Sequence, residues 1–308
     1  MPIHLILALT DFSTSAEHAL DRAALLAVRH RAKLRILYAD EVPSLRFTDP
    51  FSRLQQRARQ LARRHGINAQ ALGHSGPIVD AIVRHAAGAD LLVLDPRQHR
   101  AKHAFWRGTT LEQLMRRCPC PVLVVKQAPS RPYCQVLVAV DFTPESKKLV
   151  RYAINFEGES ALELFHAFNT CNEPALRSGG GSAEAMKAYR QAVLEDAQER
   201  LVRFSDSLDT RRNRAALVAG NAEPAHHIAI HQAFIGSDLV IVGKRRSPAL
   251  VDFVLGSVAQ RVVSLGGCDV LVVGHDHQAL TGHAAKHRMQ SLLRAEARPL
   301  QLARKNAL

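Results

Sequence analysis

Cysteine is scarce in this 308-residue chain, which contains only residues 118, 120, 134, 171 and 268 of that type. An odd number of widely scattered cysteines argues against a disulfide framework. The pair Cys118-Pro-Cys120 lacks the two-residue spacer of a zinc knuckle or a redox pair. We therefore interpret it as two small apolar core residues, with no metal site.

Long hydrophobic runs are also missing, since none approaches the roughly 20 residues that span a bilayer. The apolar start, residues 3–9, is soon followed by Asp11 and has no basic stretch before it. It is therefore too short for a signal sequence, and we interpret it as a buried first strand. The expected protein is soluble and cytoplasmic, without a membrane partner.

Acidic residues are few: 28 Asp and Glu stand against 41 Lys and Arg, and the formal net charge is +13. Residues 1–130 hold 19 basic and 10 acidic residues, residues 131–274 hold 16 of each, and residues 275–308 hold 6 and 2. A uniformly basic nucleic-acid binder would not show this distribution. Any polyanion binding is therefore expected in the first half or the tail.

The chain repeats itself, with landmarks that keep their order and spacing. Residues 5–13 match residues 135–143, residues 89–94 match 237–242, and residues 120–125 match 268–273. The shift grows from 130 to 148 positions, so 18 extra residues lie between Asp141 and Pro224, where 177–182 is typical of a flexible insertion. We predict a first domain over 1–129, a second over 130–275 and a basic tail over 276–308.

Short apolar runs alternate with helical patterns in each repeat. The second repeat has strand-like runs at 135–140, 161–168, 214–219, 238–242 and 269–273, separated by helical segments at 144–157, 183–207, 224–235 and 256–266. The runs are apolar throughout, as strands covered on both faces are. This alternation predicts an α/β protein of two tandem doubly wound domains, each a five-stranded parallel sheet flanked by helices.

Three segments meet at the carboxyl edge of the predicted second sheet, where such folds bind ligands. Asp141 closes the first strand, His166-Ala167 closes the second, and Gly243 leaves the fourth. A glycine that lets backbone amides approach, followed by Gly256-Ser257 at a helix start, suits a phosphate chain. Asp141 is suited to a ribose hydroxyl or a cation.

These residues resemble the universal stress protein family. Its nucleotide signature is Gly, two residues, Gly, nine residues, then Gly with Ser or Thr, and here Gly243, Arg246 and Gly256-Ser257 stand at those positions. The strand-one Asp of the family matches Asp141, the strand-two His matches His166, and the closing Cys-Pro-Val-Leu-Val-Val reads Cys-Asp-Val-Leu-Val-Val at 268–273. The resemblance covers residues 1 to about 275.

The resemblance implies the adenine-nucleotide alpha-hydrolase-like fold, domains paired through their last strands, and ATP or AMP binding where the glycines are kept. The family's nucleotide contacts map onto the second repeat at Val140, Asp141, Phe142, Thr143, Ala167, Val242, Gly243, Arg246, Gly256, Ser257 and Val258. We expect ATP or AMP, with or without Mg²⁺, in the second domain only.

The first repeat has lost both early glycines of the signature, since Asp95 and Gln98 occupy their places before Gly108-Thr109. A carboxylate at Asp95 would stand where a polyphosphate approaches, and Pro96 stiffens the turn. In the second repeat Arg246 replaces the middle glycine, and its guanidinium could reach a phosphate directly.

The chain has no nucleophile–base spacing, no Walker A lysine and no carboxylate cluster for two-metal chemistry, so we expect no enzyme beyond incidental weak ATP hydrolysis. The leading hypothesis is a non-catalytic tandem stress protein. The alternative is a nucleotide-free scaffold that uses the basic first domain and tail to bind an acidic protein or nucleic acid.

Several residues keep a plainer interpretation. Asp11 and Asp141 could simply cap the helices after the first strands. The His226-His227-His231 and His283-His287 pairs are expected on solvated helix faces. One helix is expected to point Leu54, Ala58 and Leu61 inward and to expose the arginines at 53, 57, 63 and 64 to solvent. A second group either binds an acidic partner or forms a basic surface loop: Arg97, Arg100, Lys102, His103 and Arg107.

The last strands of the two repeats are apolar edges, which favour pairing. We expect residues 121–125 and 269–273 to satisfy each other inside one chain as a pseudo-dimer. Further homodimerisation stays open. A weak amphipathic helix is predicted over 284–296 of the tail, ending before Pro299.

Overall fold

The computed structural model describes residues 2–39, 49–96, 110–169, 178, 182–208, 213–220, 223–244 and 257–274. These residues form ten strands and eight helices. The first half contains β1 (Leu5–Thr10), α1 (Thr14–His30), β2 (Lys33–Tyr38), α2 (Pro50–His65), β3 (Ala69–Leu72), α3 (Ile78–Ala86), β4 (Leu91–Leu94), α4 (Thr110–Arg117) and β5 (Val122–Val124).

The second half repeats this order. It contains β6 (Gln135–Ala139), α5 (Pro144–Phe156), β7 (Ala161–Asn169), α6 (Ala183–Asp206), β8 (Asn213–Gly220), α7 (Pro224–Ile235), β9 (Leu239–Lys244), α8 (Ser257–Leu265) and β10 (Asp269–Gly274). These bounds lie within two residues of the strands and helices that the sequence predicts. Part of the extra length of this half is in α6, which has 24 residues where α2 has 16.

All ten strands belong to one sheet in the order β3-β2-β1-β4-β5-β10-β9-β6-β7-β8. Neighbouring strands within each half are parallel. Chain order reverses between β1 and β4 and again between β6 and β9, which makes each half doubly wound as predicted.

The two halves meet at β5 and β10, which are the antiparallel neighbours in the sheet. Leu123 stands opposite Leu271 in this pair, with Val124 opposite Val270 and Val122 opposite Val272. The edge of each half-sheet is thereby paired inside the chain, so neither β5 nor β10 exposes unpaired backbone groups along this side.

Helices cover both faces of the sheet. One core contains residues of α1, α2, α5 and α6, such as Leu20, Leu54, Leu149 and Phe204. The other contains residues of α3, α4, α7 and α8, with Ile82, Leu114, Ile228 and Val262 among them. Strand side chains alternate between the two cores, which explains why the strands are apolar throughout.

The local sequence explains where the helices near the first strands begin and end. Ser13 caps α1 by accepting a hydrogen bond from the Ala16 amide, and Thr143 caps α5 in the same way from Ser146. Pro144 then occupies the first turn of α5, where its missing N–H costs nothing. Thr143 is therefore the N-cap of α5.

Candidate functional site

A cavity of about 390 Å³ lies at the carboxyl ends of β6, β7 and β9, on the switch point of the second half. Strand ends, helix starts and loop backbone all contribute to its wall. Its lining residues are Ala139, Val140, Asp141, Glu145, Ser146, Leu149, Phe165, His166, Ala167, Pro224, Ile228, Val242, Gly243, Val258 and Ala259.

Asp141 organises the loop that enters the cavity. Its Oδ1 accepts hydrogen bonds from the Thr143 amide at 3.2 Å, the Thr143 hydroxyl at 2.5 Å and the Ser146 hydroxyl at 2.5 Å. The Ser146 Oγ in turn accepts from the Asp141 amide at 3.0 Å. The simpler interpretation of Asp141 as the helix cap is wrong, because Thr143 is the cap and Asp141 holds the cap in place. Asp11 stands in the same relation to Ser13, whose amide donates to it at 2.8 Å.

Phe142 and His166 form an aromatic contact beside this loop. Their ring centroids lie 4.1 Å apart, and Phe142 also meets Phe204 of α6 edge-on at 5.8 Å. Phe142 has a φ of 60°, in the left-handed region that favours glycine, as does Phe12 at the matching place of the first half with 64°. At both positions the ring contacts an aromatic side chain of the second strand of its half: Phe142 contacts His166 of β7, and Phe12 stacks on Tyr38 of β2.

His166 is fixed as a neutral imidazole with a defined tautomer. Its Nδ1 lies 2.7 Å from the Val140 carbonyl oxygen, which can only accept, so Nδ1 carries the proton. Burial lowers the pKa of His166 below its ordinary value, and the nearby Asp141 carboxylate opposes this only in part. The histidine therefore presents a polar but uncharged ring at the cavity wall at neutral pH.

Three helix starts meet the cavity. Glu145 and Ser146 lie in the first turn of α5, Pro224 opens α7, and Val258 and Ala259 lie in the first turn of α8. Helix N-termini carry unpaired amides and partial positive charge. The cavity is therefore suited to an anion on one side, while Leu149, Phe165 and Ile228 give it an apolar wall on another.

Most of the residues that the sequence predicts for the nucleotide site come together here. Val140, Asp141, Ala167, Val242, Gly243 and Val258 line the cavity. Phe142 and Thr143 do not line it but hold its loop. Arg246 and Gly256 lie outside the described residues, and of Ser257 only the backbone, at the start of α8, is described.

The sequence reasoning missed other lining residues, among them Ser146, Leu149 and Ile228. Ser146 and Leu149 lie three residues apart on α5, so they share the helix face that begins at the Thr143 cap. Helical phase from that cap could have found both. Ile228 could not be found in this way, because α7 is apolar on several sides.

The first half has a carboxylate where the second half has glycine. Leu91 pairs with Ile6 as Leu239 pairs with Val136, and this equal register places Asp95 at the position of Gly243. Asp95 is fully buried, and its Oδ2 accepts a short hydrogen bond from the Ser15 hydroxyl. Gln98, Gly108 and Thr109 lie outside the described residues.

Three of the four described cysteines are buried. Cys118, Cys120 and Cys268 are buried and form no disulfide with another described cysteine, while Cys134 is exposed. Burial raises the pKa of the Cys118 thiol to about 12, so it stays protonated. Among the described residues no group of three or more His, Cys, Asp or Glu side chains is placed to hold a metal ion.

His231 does not lie on a solvated helix face, and that prediction is wrong. Its Nε2 pairs with the buried Glu163 carboxylate of β7, and its ring stacks on Phe165 with the centroids 4.7 Å apart. The contact joins α7 to a strand 68 positions earlier, which no local spacing indicates. His226 is exposed, and His283 and His287 lie outside the described residues.

The arginines of α2 divide into two groups. Leu54, Ala58 and Leu61 are buried as predicted. Arg57 is not on the wet side, because its guanidinium lies 2.5 Å from Glu17 and 3.2 Å from Asp21 and ties α2 to α1. Arg53, Arg63 and Arg64 are exposed as expected, whereas the loop residues Arg97, Arg100, Lys102, His103 and Arg107 lie outside the described residues.

Within the described ranges, no helix is both long enough and apolar enough to cross a membrane. The predicted tail helix over 284–296 falls outside those ranges.

Comparisons with known proteins agree with this architecture. A curated relative, universal stress protein YxiE of Bacillus subtilis (strain 168), is 26% identical over 145 residues, which are 45% of this chain and 97% of YxiE. The crystal structure of a universal stress protein from Archaeoglobus fulgidus DSM 4304 has a TM-score of 0.58 at 16% identity and covers 88% of this chain and 98% of that one. The protein PA1789 of Pseudomonas aeruginosa PAO1, of unknown function, has a TM-score of 0.59 at 19% identity and covers 94% and 98%.

At these identities the two solved structures show a shared fold. The family is shown by the profile described as universal stress protein family, which matches residues 2–126 and again residues 132–274. The chain therefore belongs to the universal stress protein family and carries two of its domains in tandem.

Proposed function

We propose that this chain is a non-catalytic stress-response protein that binds ATP or AMP in the cavity of its second half. The observation that carries the proposal is the contrast between Gly243 at the end of β9 and Asp95 at the end of β4. The equal strand register puts a hydrogen in one half where the other half has a buried carboxylate.

The shape and lining of the cavity suit a nucleotide. Its volume of about 390 Å³ falls in the range of about 300–1,000 Å³ usual for small-molecule sites. Leu149, Phe165 and Ile228 offer an apolar surface to a base. The first turns of α5, α7 and α8 supply backbone amides and partial positive charge for phosphate.

Two polar residues then define the sugar side of the proposed site. Asp141 lies at the rim with its Oδ1 already bound to Thr143 and Ser146, so the carboxylate is held in one orientation toward a ribose hydroxyl or a Mg²⁺ ion. Burial lowers the pKa of His166 and keeps the ring neutral, although its hydrogen bond to the Val140 carbonyl favours the protonated form. Arg246 and Gly256 remain predicted contacts.

The proposal of a non-catalytic role rests on the same geometry. Asp141 Oδ1 accepts hydrogen bonds from the Thr143 amide and from the Thr143 and Ser146 hydroxyls, so this oxygen is engaged in holding the loop. A general base must instead have its acceptor directed at the attacking group. The stress role that the resemblance implies and the cytoplasmic location expected from the sequence both belong to this proposal.

The proposal can be tested by calorimetric titration of the full chain with ATP and with AMP. The variant Gly243→Asp installs the residue of the first half, and Gly267→Asp is its matched control, because an added Cβ at Gly267 meets nothing within 4 Å. Wild type and Gly267→Asp should bind with micromolar to millimolar affinity, and Gly243→Asp should bind about tenfold or more weakly.

Absence of binding heat at millimolar nucleotide in the wild type would overturn the proposal. Equal affinity in Gly243→Asp and Gly267→Asp would also overturn it. Phosphate release measured in the same samples tests the non-catalytic role, since steady turnover that Gly243→Asp abolishes would show an enzyme.

A further inference from the structure

The outer face of α2 is positively charged, and among the described residues its C-terminal part has no carboxylate paired with it. Its exposed side chains, in chain order, are Phe51, Ser52, Arg53, Gln56, Arg59, Gln60, Arg63 and Arg64. The helix has no acidic residue within its own length, and its N-cap Asp49 stands at the far end from Arg63 and Arg64. Arg59, Arg63 and Arg64 make no ion pair with any carboxylate in the described part of the chain.

The corresponding helix of the second half is built differently. On α6, Arg200 pairs with Asp196 at 2.9 Å and Arg203 pairs with Glu199, each four residues earlier. Such pairs neutralise a solvated helix face locally. The charge of α2 is therefore a property of this helix and is not required by the fold.

A polar groove of about 630 Å³ runs beside the N-terminal part of this face, between α1 and α2. Ser52, Arg53, Gln56, Arg57 and Gln60 line it from α2, and Phe12 and Glu17 lie on its other side, with Glu17 paired to Arg57. The Arg53 guanidinium stacks on the Phe12 ring, with Cζ 4.6 Å from the ring centroid. The groove thus combines hydrogen-bond donors, a cation and an aromatic surface.

Phe51, at the start of α2, adds an exposed aromatic ring on the side of the helix that faces the end of β3. It keeps 42% of its surface exposed although it lies at the start of a structured helix. One edge of the ring leans on Gly73 beyond β3, where an added Cβ would lie 3.6 Å from Phe51 Cε2. A ring supported on one side and open on the other is suited to stack on a nucleic-acid base.

We infer that the α2 face binds single-stranded nucleic acid, independently of the nucleotide proposed for the second half. Arg59, Arg63 and Arg64 lie within about 8 Å along the helix axis and contact successive backbone phosphates. Phe51 stacks a base, while Gln56 and Gln60 offer amide groups to sugars and base edges. All five basic residues of α2 are arginine, whose planar fork suits phosphate better than lysine does.

An acidic protein is the less suitable partner for this face. Protein interfaces have an apolar core, but Phe51 is the only large apolar side chain exposed on α2. Nucleic-acid interfaces are polar and strongly positive, as this face is. The sequence alone left an acidic protein and a nucleic acid as alternative partners of the basic first half. The composition of the α2 face favours the nucleic acid.

Fluorescence anisotropy on the full chain with a labelled single-stranded RNA of about 20 nucleotides tests this inference. The triple variant Arg59→Gln, Arg63→Gln, Arg64→Gln removes three charges from α2. Its matched control, Lys187→Gln, Arg200→Gln, Arg203→Gln, removes the same charge from exposed positions of α6. Glutamine keeps the helix propensity of both helices, and circular dichroism checks that both fold.

We expect the wild type and the α6 variant to bind the RNA at about 50 mM salt, and the α2 variant to bind about tenfold or more weakly. The slope of log affinity against log salt should be smaller by about 2 in the α2 variant, because three phosphate contacts are lost. Phe51→Ala should weaken binding about fivefold or more and leave this slope unchanged.

Four outcomes would overturn the inference: no binding by the wild type at about 50 mM salt, equal weakening by the two triple variants, equal or tighter binding of a duplex of the same length, or equal competition by poly-glutamate at the same charge concentration. A single-stranded DNA of the same sequence shows whether the 2′-hydroxyl contributes, and equal affinity for it supports recognition through phosphates and bases. Loss of nucleotide binding in Gly243→Asp should leave the RNA affinity unchanged.

Discussion

Arg22 and Asp269 form a buried ion pair that joins the two halves of the molecule. Arg22 Nε lies 3.4 Å from Asp269 Oδ2, and the two side chains are only 7% and 1% exposed. The Tyr133 hydroxyl donates to the same oxygen at 2.5 Å, and the amides of Lys126 and Gln127 donate to Oδ1 at 2.8 and 3.2 Å. One carboxylate at the start of β10 therefore fixes α1 and the connection between the halves.

Removal of the charge of Asp269 should destabilise the whole chain. Asp269→Asn keeps the size of the side chain but removes the carboxylate that pairs with the Arg22 guanidinium in a buried position. We expect the free energy of unfolding, from urea denaturation, to fall by about 3–5 kcal/mol.

Arg200→Gln is the control for this effect, because it breaks the exposed Asp196–Arg200 pair. It should cost less than about 1 kcal/mol. A loss in Asp269→Asn as small as in the control would contradict the interpretation that the buried pair holds the halves together.

The cluster of Asp269, Arg22 and Tyr133 could not be predicted from the sequence. Alignment of the repeats sets Asp269 against Pro121, so the substitution itself is visible in the sequence. The partners of Asp269 are not visible in the sequence, because Tyr133 stands 136 positions away and Arg22 lies in the other half. The ion pair depends on the antiparallel meeting of β5 and β10, which brings α1 beside the second half.

The strands and the loops at their carboxyl ends could be predicted because their signals are local in the sequence. Buried runs such as 239–242 are continuous in the sequence, and parallel strands bring their carboxyl ends to one edge, so Asp141 and Gly243 could be placed together from local signals. The pairs Glu163–His231 and Arg57–Glu17 join separate elements through side chains. The periodicity of apolar residues does not indicate which side chains of separate elements pair.

Glu157 should make the stability of the protein depend on pH. This carboxyl is 3% exposed, and burial raises its pKa to about 7, against the opposing charges of Arg29 and Arg22 and with support from Asp238 and Glu159. The folded chain therefore binds this proton more tightly than the unfolded chain, whose value is about 4.5. Stability from this group is present below about pH 4.5 and is lost as the pH rises to about 7, a change of about 2–3 kcal/mol.

Urea denaturation at a series of pH values measures this dependence. Glu157→Gln should remove it, so the difference between the wild type and this variant should change by about 2–3 kcal/mol between about pH 5 and 8. Glu184→Gln, at an exposed position of α6 that does not contribute to the pKa of Glu157, should keep the slope of the wild type. If Glu157→Gln also keeps that slope, the raised pKa of Glu157 is not the cause of the pH dependence of stability.

At position 142 a glycine should give a more stable protein than an alanine, which is the reverse of the usual order of stability. The φ of 60° at Phe142 costs a residue with a Cβ about 1 kcal/mol, and the ring of Phe142 contributes packing against His166 and Phe204. Both Phe142→Ala and Phe142→Gly lose the ring, but only glycine relieves the backbone. We expect Phe142→Gly to be more stable than Phe142→Ala by about 1 kcal/mol in chemical denaturation.

The control position is Phe156, which lies in the last turn of α5 with ordinary helical backbone. There Phe156→Gly should be less stable than Phe156→Ala by about 0.5–1 kcal/mol. The same order at both positions would show that the left-handed backbone at Phe142 carries no strain.

Separation of the halves should cost solubility. Residues 1–130 expressed alone would expose the apolar edge of β5, and residues 131–274 would expose β10 together with the buried Asp269. Unpaired strand edges and buried charges brought to the surface favour self-association. We expect each half alone to aggregate or form dimers in size-exclusion chromatography with light scattering, and co-expression to give a one-to-one complex.

A chain with a protease site inserted after the exposed Ser130 separates covalent linkage from pairing. Cleavage should leave the halves together as one particle of unchanged mass, because the contacts of β5 with β10 and of Arg22 with Asp269 do not need an intact connection. In the cleaved chain Asp269→Asn should weaken that association and release free halves at low protein concentration. Halves that are each monomeric and soluble on their own would show that the continuous sheet is not required for folding.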